Sequence, residues 1–247
     1  MITVKRLRRL FIYTPPDPVN FWRPRAADPG WLSVMWASPA YNELAHGDQW
    51  KAIERNLPER RGGVLDLGCG TGRLSARLAG VFENYVGVDL DTMVTEARRR
   101  NPDLTAKFVA ASAQDYDYPV ESFDLVLSMA CIASACRASE LPEIAKRMVN
   151  ATRSGGRIIM IDPFHRLPAL TRTCRLSAGQ VVELFTALGM TVEEWSGVHF
   201  IPGRLLLARP WLSNFSRLTR IGYRTGEAIG RLAPRVLSDY SVIALKR

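Results

Sequence analysis

The stretch Val64-Leu-Asp-Leu-Gly-Cys-Gly-Thr-Gly72, with Gly87-Val-Asp89 downstream, constrains this chain more than any other part of it. It reads as a buried strand (64–67) that breaks into a glycine turn and opens a helix (72–79). A second strand (85–88) then ends in an acid, Asp89. Glycines let backbone approach a ligand closely, and a helix start supplies unpaired N–H donors. An acid closing the second strand can accept hydrogen bonds from both hydroxyls of a ribose. The unit therefore suits a ligand built on adenosine.

One position decides between adenosine ligands. A dinucleotide turn needs Gly-x-Gly-x-x-Gly, whose third glycine admits close packing around a pyrophosphate. Gly68, Gly70 and Gly72 give Gly-x-Gly-x-Gly, and Arg73 occupies the last slot. Asp66 adds a carboxylate at the strand end, which would repel a pyrophosphate but attract the ammonium of an amino acid. The string resembles motif I of the class I S-adenosylmethionine-dependent methyltransferases, with Asp89 at the acid of the second strand. The resemblance covers roughly residues 60–165. It implies S-adenosylmethionine as cofactor and a Rossmann-like, doubly wound α/β fold. In that family a seven-stranded, mostly parallel sheet is completed by an antiparallel last strand.

The pattern along the chain agrees with that class. Strands are expected at 64–67, 85–88, 107–110, 125–128, 157–161, 191–200 and 240–245. Helices are expected at 72–79, 91–100 and about 139–152, with a turn at 153–156. Another follows Ser177, where Ser177 and Gln180 form a capping box, Val181, Phe185 and Leu188 form an apolar stripe, and Gly189 is the stop. Repeated strand–helix units imply a parallel sheet covered on both faces. Residues 1–60 read as an N-terminal extension or lid, proline- and tryptophan-rich, with helical periodicity only from about Pro39. Residues 61–247 form the main domain, with an arginine-rich insertion at about 201–238 before the last strand.

Charge is the compositional outlier. The chain of 247 residues carries a net +9. Lys5, Arg6, Arg8 and Arg9 crowd one end, and seven arginines between 204 and 235 face the single acid Glu227. Such a surface suits anionic partners or a solvated exterior. In the insertion the arginines alternate with Leu205, Leu206, Leu207, Trp211, Leu212, Phe215, Leu218 and Ile221. That mixture suits a helix lying on a membrane, a lid over a lipophilic acceptor, or a packed appendage. No apolar run approaches the roughly 18–20 residues of a membrane span, and the apolar stretch at Leu10 is too short for a secretory signal. The expectation is a cytoplasmic protein, with peripheral membrane contact through 201–238 as a variant. Four scattered cysteines and three histidines give no metal-ligand spacing, so no metal is expected.

The resemblance implies a ligand set. Asp66 would orient the cofactor's ammonium or the glycine loop; Gly68, Cys69, Gly70 and Gly72 would admit it, and Asp89 with Leu90 would hold the ribose. Met93 would pack on adenine. The acid that accepts the adenine amino group in the family falls on Ser112, a departure, with Ala113 offering its N–H and Gln114 or Asp115 as substitutes. Ser128 and Met129 would border the methionine part. A base is needed only if the acceptor loses a proton. His165, just past the fifth strand, is the first candidate; His199, and His46 with Tyr41, are the others. After the fourth strand stands Ser128-Met-Ala-Cys131, without the Asn/Asp-Pro-Pro-aromatic motif of enzymes that methylate base amines. A small, hydrophobic acceptor is therefore expected, with an RNA methyltransferase and a non-catalytic cofactor-binding protein as alternatives. Oligomeric state carries no sequence signal.

Overall fold

The computed structural model describes residues 17–166, 173–212 and 215–247. The basic cluster Lys5–Arg9 and the Pro15-Pro16 step lie outside the described residues.

Seven strands form one sheet: β1 Gly63–Leu67, β2 Asn84–Asp89, β3 Lys107–Ala110, β4 Phe123–Met129, β5 Thr152–Asp162, β6 Thr191–Phe200 and β7 Ser238–Lys246. Their order is β3-β2-β1-β4-β5-β7-β6. Pairing is parallel from β3 through β5, and β7 runs antiparallel between β5 and β6. The doubly wound class with an antiparallel last strand is thus present.

The buried strands are apolar on both sides because both faces are covered. Leu65, Leu67, Val126, Ile158 and Met160 face one core. It is completed by helices α5 (Ile132–Ala135), α6 (Leu141–Ala151) and α7 (Ala178–Ala187). Val64, Leu125, Leu127, Ile159 and Ile161 face the other, against α2 (Pro39–Glu54), α3 (Ser75–Ala79) and α4 (Asp91–Arg100). The capping box at Ser177 forms as expected, with Gln180 reaching back to the Ser177 N–H.

Three local expectations are corrected. The helix after the glycine turn starts at Ser75, not 72, because Gly72 stands at φ +81. The segment 153–156 is not a free turn. Strand β5 runs through it with a register shift opposite Phe123 and Leu125, and its end is held by Gly155 N–H to Arg247 O at 2.9 Å. A helix absent from the expected pattern, α1 (Pro18–Arg25), precedes α2. Asp17 caps it through the Asn20 N–H, with Pro18 in the first turn where a missing N–H costs nothing.

The insertion separates β6 from β7 and forms α8 (Ile201–Leu207), α9 (Ser216–Gly230) and α10 (Pro234–Leu237). It packs on α2 through Tyr41, Ala45, Ala208 and Tyr223. Glu227 accepts from the backbone N–H of His199 and Phe200 (3.2 and 2.7 Å), fixing α9 to the end of β6.

Candidate active site

The site lies at the carboxyl ends of the central strands, where a parallel sheet leaves its crevice. Two adjoining hollows share Trp22, Val34, Gly68, Gly70, Met129 and Ala130 as walls. The one beside Asp89 spans about 870 Å³ and the one beside Asp66 about 1050 Å³, both partly open to solvent.

The first hollow, over β2 and β3, brings together Asp89, Leu90, Met93, Ser112 and Ala113 with Gly68, Gly70 and Met129. Asp89 is pinned by two backbone donors, Gly70 N–H to Oδ2 at 2.7 Å and Leu90 N–H to Oδ1 at 2.6 Å. Each oxygen keeps a lone pair for a further donor. Burial raises this carboxyl to about 6, against the lowering effect of those N–H groups. Ser112 donates to Asp115 at 2.6 Å, which ties its hydroxyl into the loop. Of the two substitutes for the missing acid, Gln114 lines the hollow and Asp115 does not.

The second hollow holds Asp66, Cys69 and Arg73 beneath aromatic and apolar walls: Phe21, Trp22, Met35, Trp36 and Tyr240. Asp66 accepts from Tyr85 Oη at 2.9 Å, and Tyr85 Oη is 2.8 Å from Ser75 Oγ. Burial lifts Asp66 to about 7, against the lowering pull of Tyr85 and Arg73. Arg73 is only partly covered along its length, but its guanidinium sits among buried groups. It meets His46 Nδ1 and lies 2.7 Å from Met129 Sδ. Burial brings Arg73 down to about 10, with Asp66 opposing, and brings His46 to about 4. His46 is thus neutral at pH 7 and only weakly basic, with its Nδ1 lone pair engaged by Arg73. Gln49, buried and on the wall, has its Oε1 without a hydrogen-bond partner while its Nε2 meets His199 Nε2 at 3.0 Å.

Backbone geometry explains the turn. Gly68 stands at φ +81, and a Cβ there would fall 2.3 Å from Cys131 Cβ. Gly72 does not border either hollow. It faces α4, where a Cβ would lie 2.5 Å from Asn101 Nδ2, so its work is to close the turn against that helix.

His165 is also placed differently from expectation. It lines neither hollow; its Nε2 lies 3.8 Å from Asp239 Oδ1, and its carbonyl accepts from Ala178 N–H. The cause is β7. Ser241 Oγ donates to Phe164 O at 2.7 Å and draws the segment after β5 sideways onto the last strand. His199 is buried, drawn down to about 4 by burial, and wedged edge-on between Trp36 and Tyr240. None of the three histidines borders either hollow.

The sequence reading missed several contributors. Phe21, Trp22 and Val34 arrive from the N-terminal segment, for which only the Asp17-Pro18 start signal was available. Arg100 ties that segment to the glycine turn, donating to Asp28 O, Gly30 O and Thr71 Oγ1 at 3.1, 2.6 and 3.2 Å.

Residues 64–156 match the family described as "Methyltransferase domain". The chain is 39% identical over 102 residues to demethylmenaquinone methyltransferase of Beutenbergia cavernae, covering 40% of each. It is 38% identical over 69 residues to fatty-acid O-methyltransferase of Mycolicibacterium smegmatis, covering 27% of this chain and 25% of that one. Phosphoethanolamine N-methyltransferase 1 of Haemonchus contortus, solved with phosphoethanolamine and S-adenosylhomocysteine, shares the fold. Its TM-score is 0.65 at 17% identity, covering 99% of this chain and 49% of that one. Residues 64–156 thus match a methyltransferase domain, and the strand order around them is that of the fold of the class I S-adenosylmethionine-dependent methyltransferase superfamily. The chain spans about half or less of the length of the curated relatives it matches.

The residues fit the cofactor of that superfamily. A pinned carboxylate, Asp89, stands beside an apolar slot containing Met93 and Leu90. An acid and a cation, Asp66 and Arg73, stand across Gly68 and Gly70 from it, matched to the two charges of an amino acid.

Proposed function

We propose that this chain transfers a methyl group from S-adenosylmethionine to a small hydrophobic acceptor, and that the methylated atom is an ionisable oxygen. The observation that carries this reading is the join of the two hollows at Met129 and Ala130. One hollow is suited to a nucleoside, the other is aromatic-walled and holds Arg25 and Arg73.

In this reading Asp89 accepts from the ribose hydroxyls, and Leu90, Met93, Ser112 and Ala113 enclose the adenine. Asp66 takes the ammonium and Arg73 the carboxylate. S-adenosylmethionine supplies an electrophilic methyl on a cationic sulfur, so the chain's own task is to place the acceptor and keep water out. Phe21, Trp22 and Trp36 form the apolar wall for that acceptor. Gln49 Oε1, a buried orphan, would accept from a donor group on it. No histidine lines either hollow, so an oxygen already ionised at neutral pH, held near a cation, suits the site better than one needing a base. The lipophilic acceptors named for the menaquinone and fatty-acid relatives support the same class.

The test is turnover of methyl-labelled cofactor with cell extract separated into lipid, acidic aromatic, RNA and protein fractions. Base-labile methyl esters, or methyl ethers of acidic phenols, are expected in the first two fractions. Label in RNA, or no turnover with any fraction while the cofactor still binds, would overturn the reading.

A further inference from the structure

Helix α9 has two opposite apolar faces, and only one is used. Thr219, Tyr223, Gly226 and Gly230 recur every three to four residues and are buried. They pack towards α2 and Phe200: Tyr223 Oη donates to Asp48 Oδ2 at 2.9 Å, and Phe200 lies against Gly226 and Gly230. On the far side Leu218, Ile221 and Ile229 are 60, 64 and 43% exposed, and Leu232, just past the helix end, is 83% exposed. Phe215, Leu206 and Val236 of the same insertion are also exposed. Among the described residues the other exposed large apolar side chains are only Leu32 and Val120. Scattered apolar exposure is ordinary, but contiguous exposure marks a contact surface.

Charge says what covers it. At about 100° per residue, Arg217, Arg220 and Arg224 fall in one row along the flank between the buried and the exposed faces, and Arg231 continues it. All four are exposed, and among the described residues none is within ion-pairing distance of a carboxylate. A second copy is a poor occupant: antiparallel two-fold pairing of these faces would set two arginine rows side by side. An anionic headgroup layer neutralises the row while the leucines and isoleucines sink below it, and arginine stems reach up to the phosphates.

We infer that the exposed face of α9 is a docking surface for an anionic phospholipid bilayer, on which the helix lies in the plane of the interface. No helix of the described residues is long and apolar enough to cross a membrane, so the contact is peripheral. The inference stands apart from the methyl acceptor, since it rests on the outer surface of the insertion and not on the hollows.

Flotation of the full chain with vesicles tests it. Phosphatidylcholine vesicles with about one-third phosphatidylglycerol should carry the protein, and phosphatidylcholine alone should not. Arg217→Gln with Arg220→Gln and Arg224→Gln should lower partitioning roughly a hundredfold, at about fivefold per arginine near an anionic surface. Leu218→Ser with Ile221→Ser and Leu232→Ser should abolish it at equal charge. Unchanged melting temperature and unchanged cofactor affinity by calorimetry establish that both variants are folded. The inference fails if the wild type ignores anionic vesicles, or if either triple variant floats as well as the wild type. It also fails if sedimentation shows a wild-type dimer that the serine variant reduces to monomer without any vesicle binding.

Discussion

Lowering the pH from 7.5 to 5.5 should weaken capture of S-adenosylmethionine about 25-fold through Asp66 alone. Burial raises this carboxyl from 3.8 to about 7, so the protein without cofactor holds a proton there across the acid range. An ammonium placed beside it favours the ionised form and expels that proton. With the value at about 7, roughly nine in ten sites are protonated at pH 6, and affinity rises about tenfold per pH unit until it levels near 7. The cofactor's own amine, with an α-amino value near 8, stays mostly charged over this window. Stability moves the other way. The unfolded chain releases the proton near 3.8 and the folded chain near 7, so this contribution is complete below about 4 and is lost as pH rises through 7. The loss amounts to about 4 kcal/mol as an upper bound. Asp66→Asn should therefore raise the melting temperature at pH 7.5 while weakening the cofactor, an opposition that simple damage to the fold would not produce. Calorimetry in buffers of different ionisation enthalpy reads the proton release directly. A dissociation constant flat from pH 5.5 to 7.5, with no proton released, would refute the reasoning.

Three further outcomes are expected. Asp89→Asn should weaken cofactor binding about a hundredfold, since it turns part of an acceptor set into donors, with far-ultraviolet circular dichroism unchanged. Gly68→Ala should lower stability by about 2–4 kcal/mol in thermal melts, because it combines a left-handed φ with a collision against Cys131. His165→Ala should retain turnover within about threefold; a loss beyond a hundredfold would show that its approach to Asp239 changes during reaction.

How much could be read in advance depended on whether the signal was local. The glycine turn, Asp89 and the capping box at Ser177 each declare themselves within a few residues, because φ, chain direction and a backbone donor are decided there. The sheet was legible because strands buried on both faces leave uninterrupted apolar runs. The walls of the second hollow were not. Trp22 and Val34 reach the glycine turn through long-range contacts, among them the three oxygens gathered by Arg100, the Ser33–Thr71 hydroxyl pair and the Arg23–Asp91 ion pair, and no periodicity records those. His165 was read from its place after β5, which is correct in topology. Its direction, however, is decided by Ser241 on a strand far along the chain. Arg73 was read as the absence of a glycine when its positive content is a cation inside the site.

Strand β7 lies inside the sheet, yet it is made after β6, which it must join to β5. Until residues 238–246 have been synthesised, β6 has no neighbour to bond and the core beneath it stays open. Closing that pair across the roughly forty residues of α8 to α10 costs about 2 kcal/mol more than a tight hairpin would. The five-stranded parallel part can mature on the ribosome, whereas the far edge must wait, so the arginine-bearing helices are finished while β6, to which Glu227 ties them, is still unpaired.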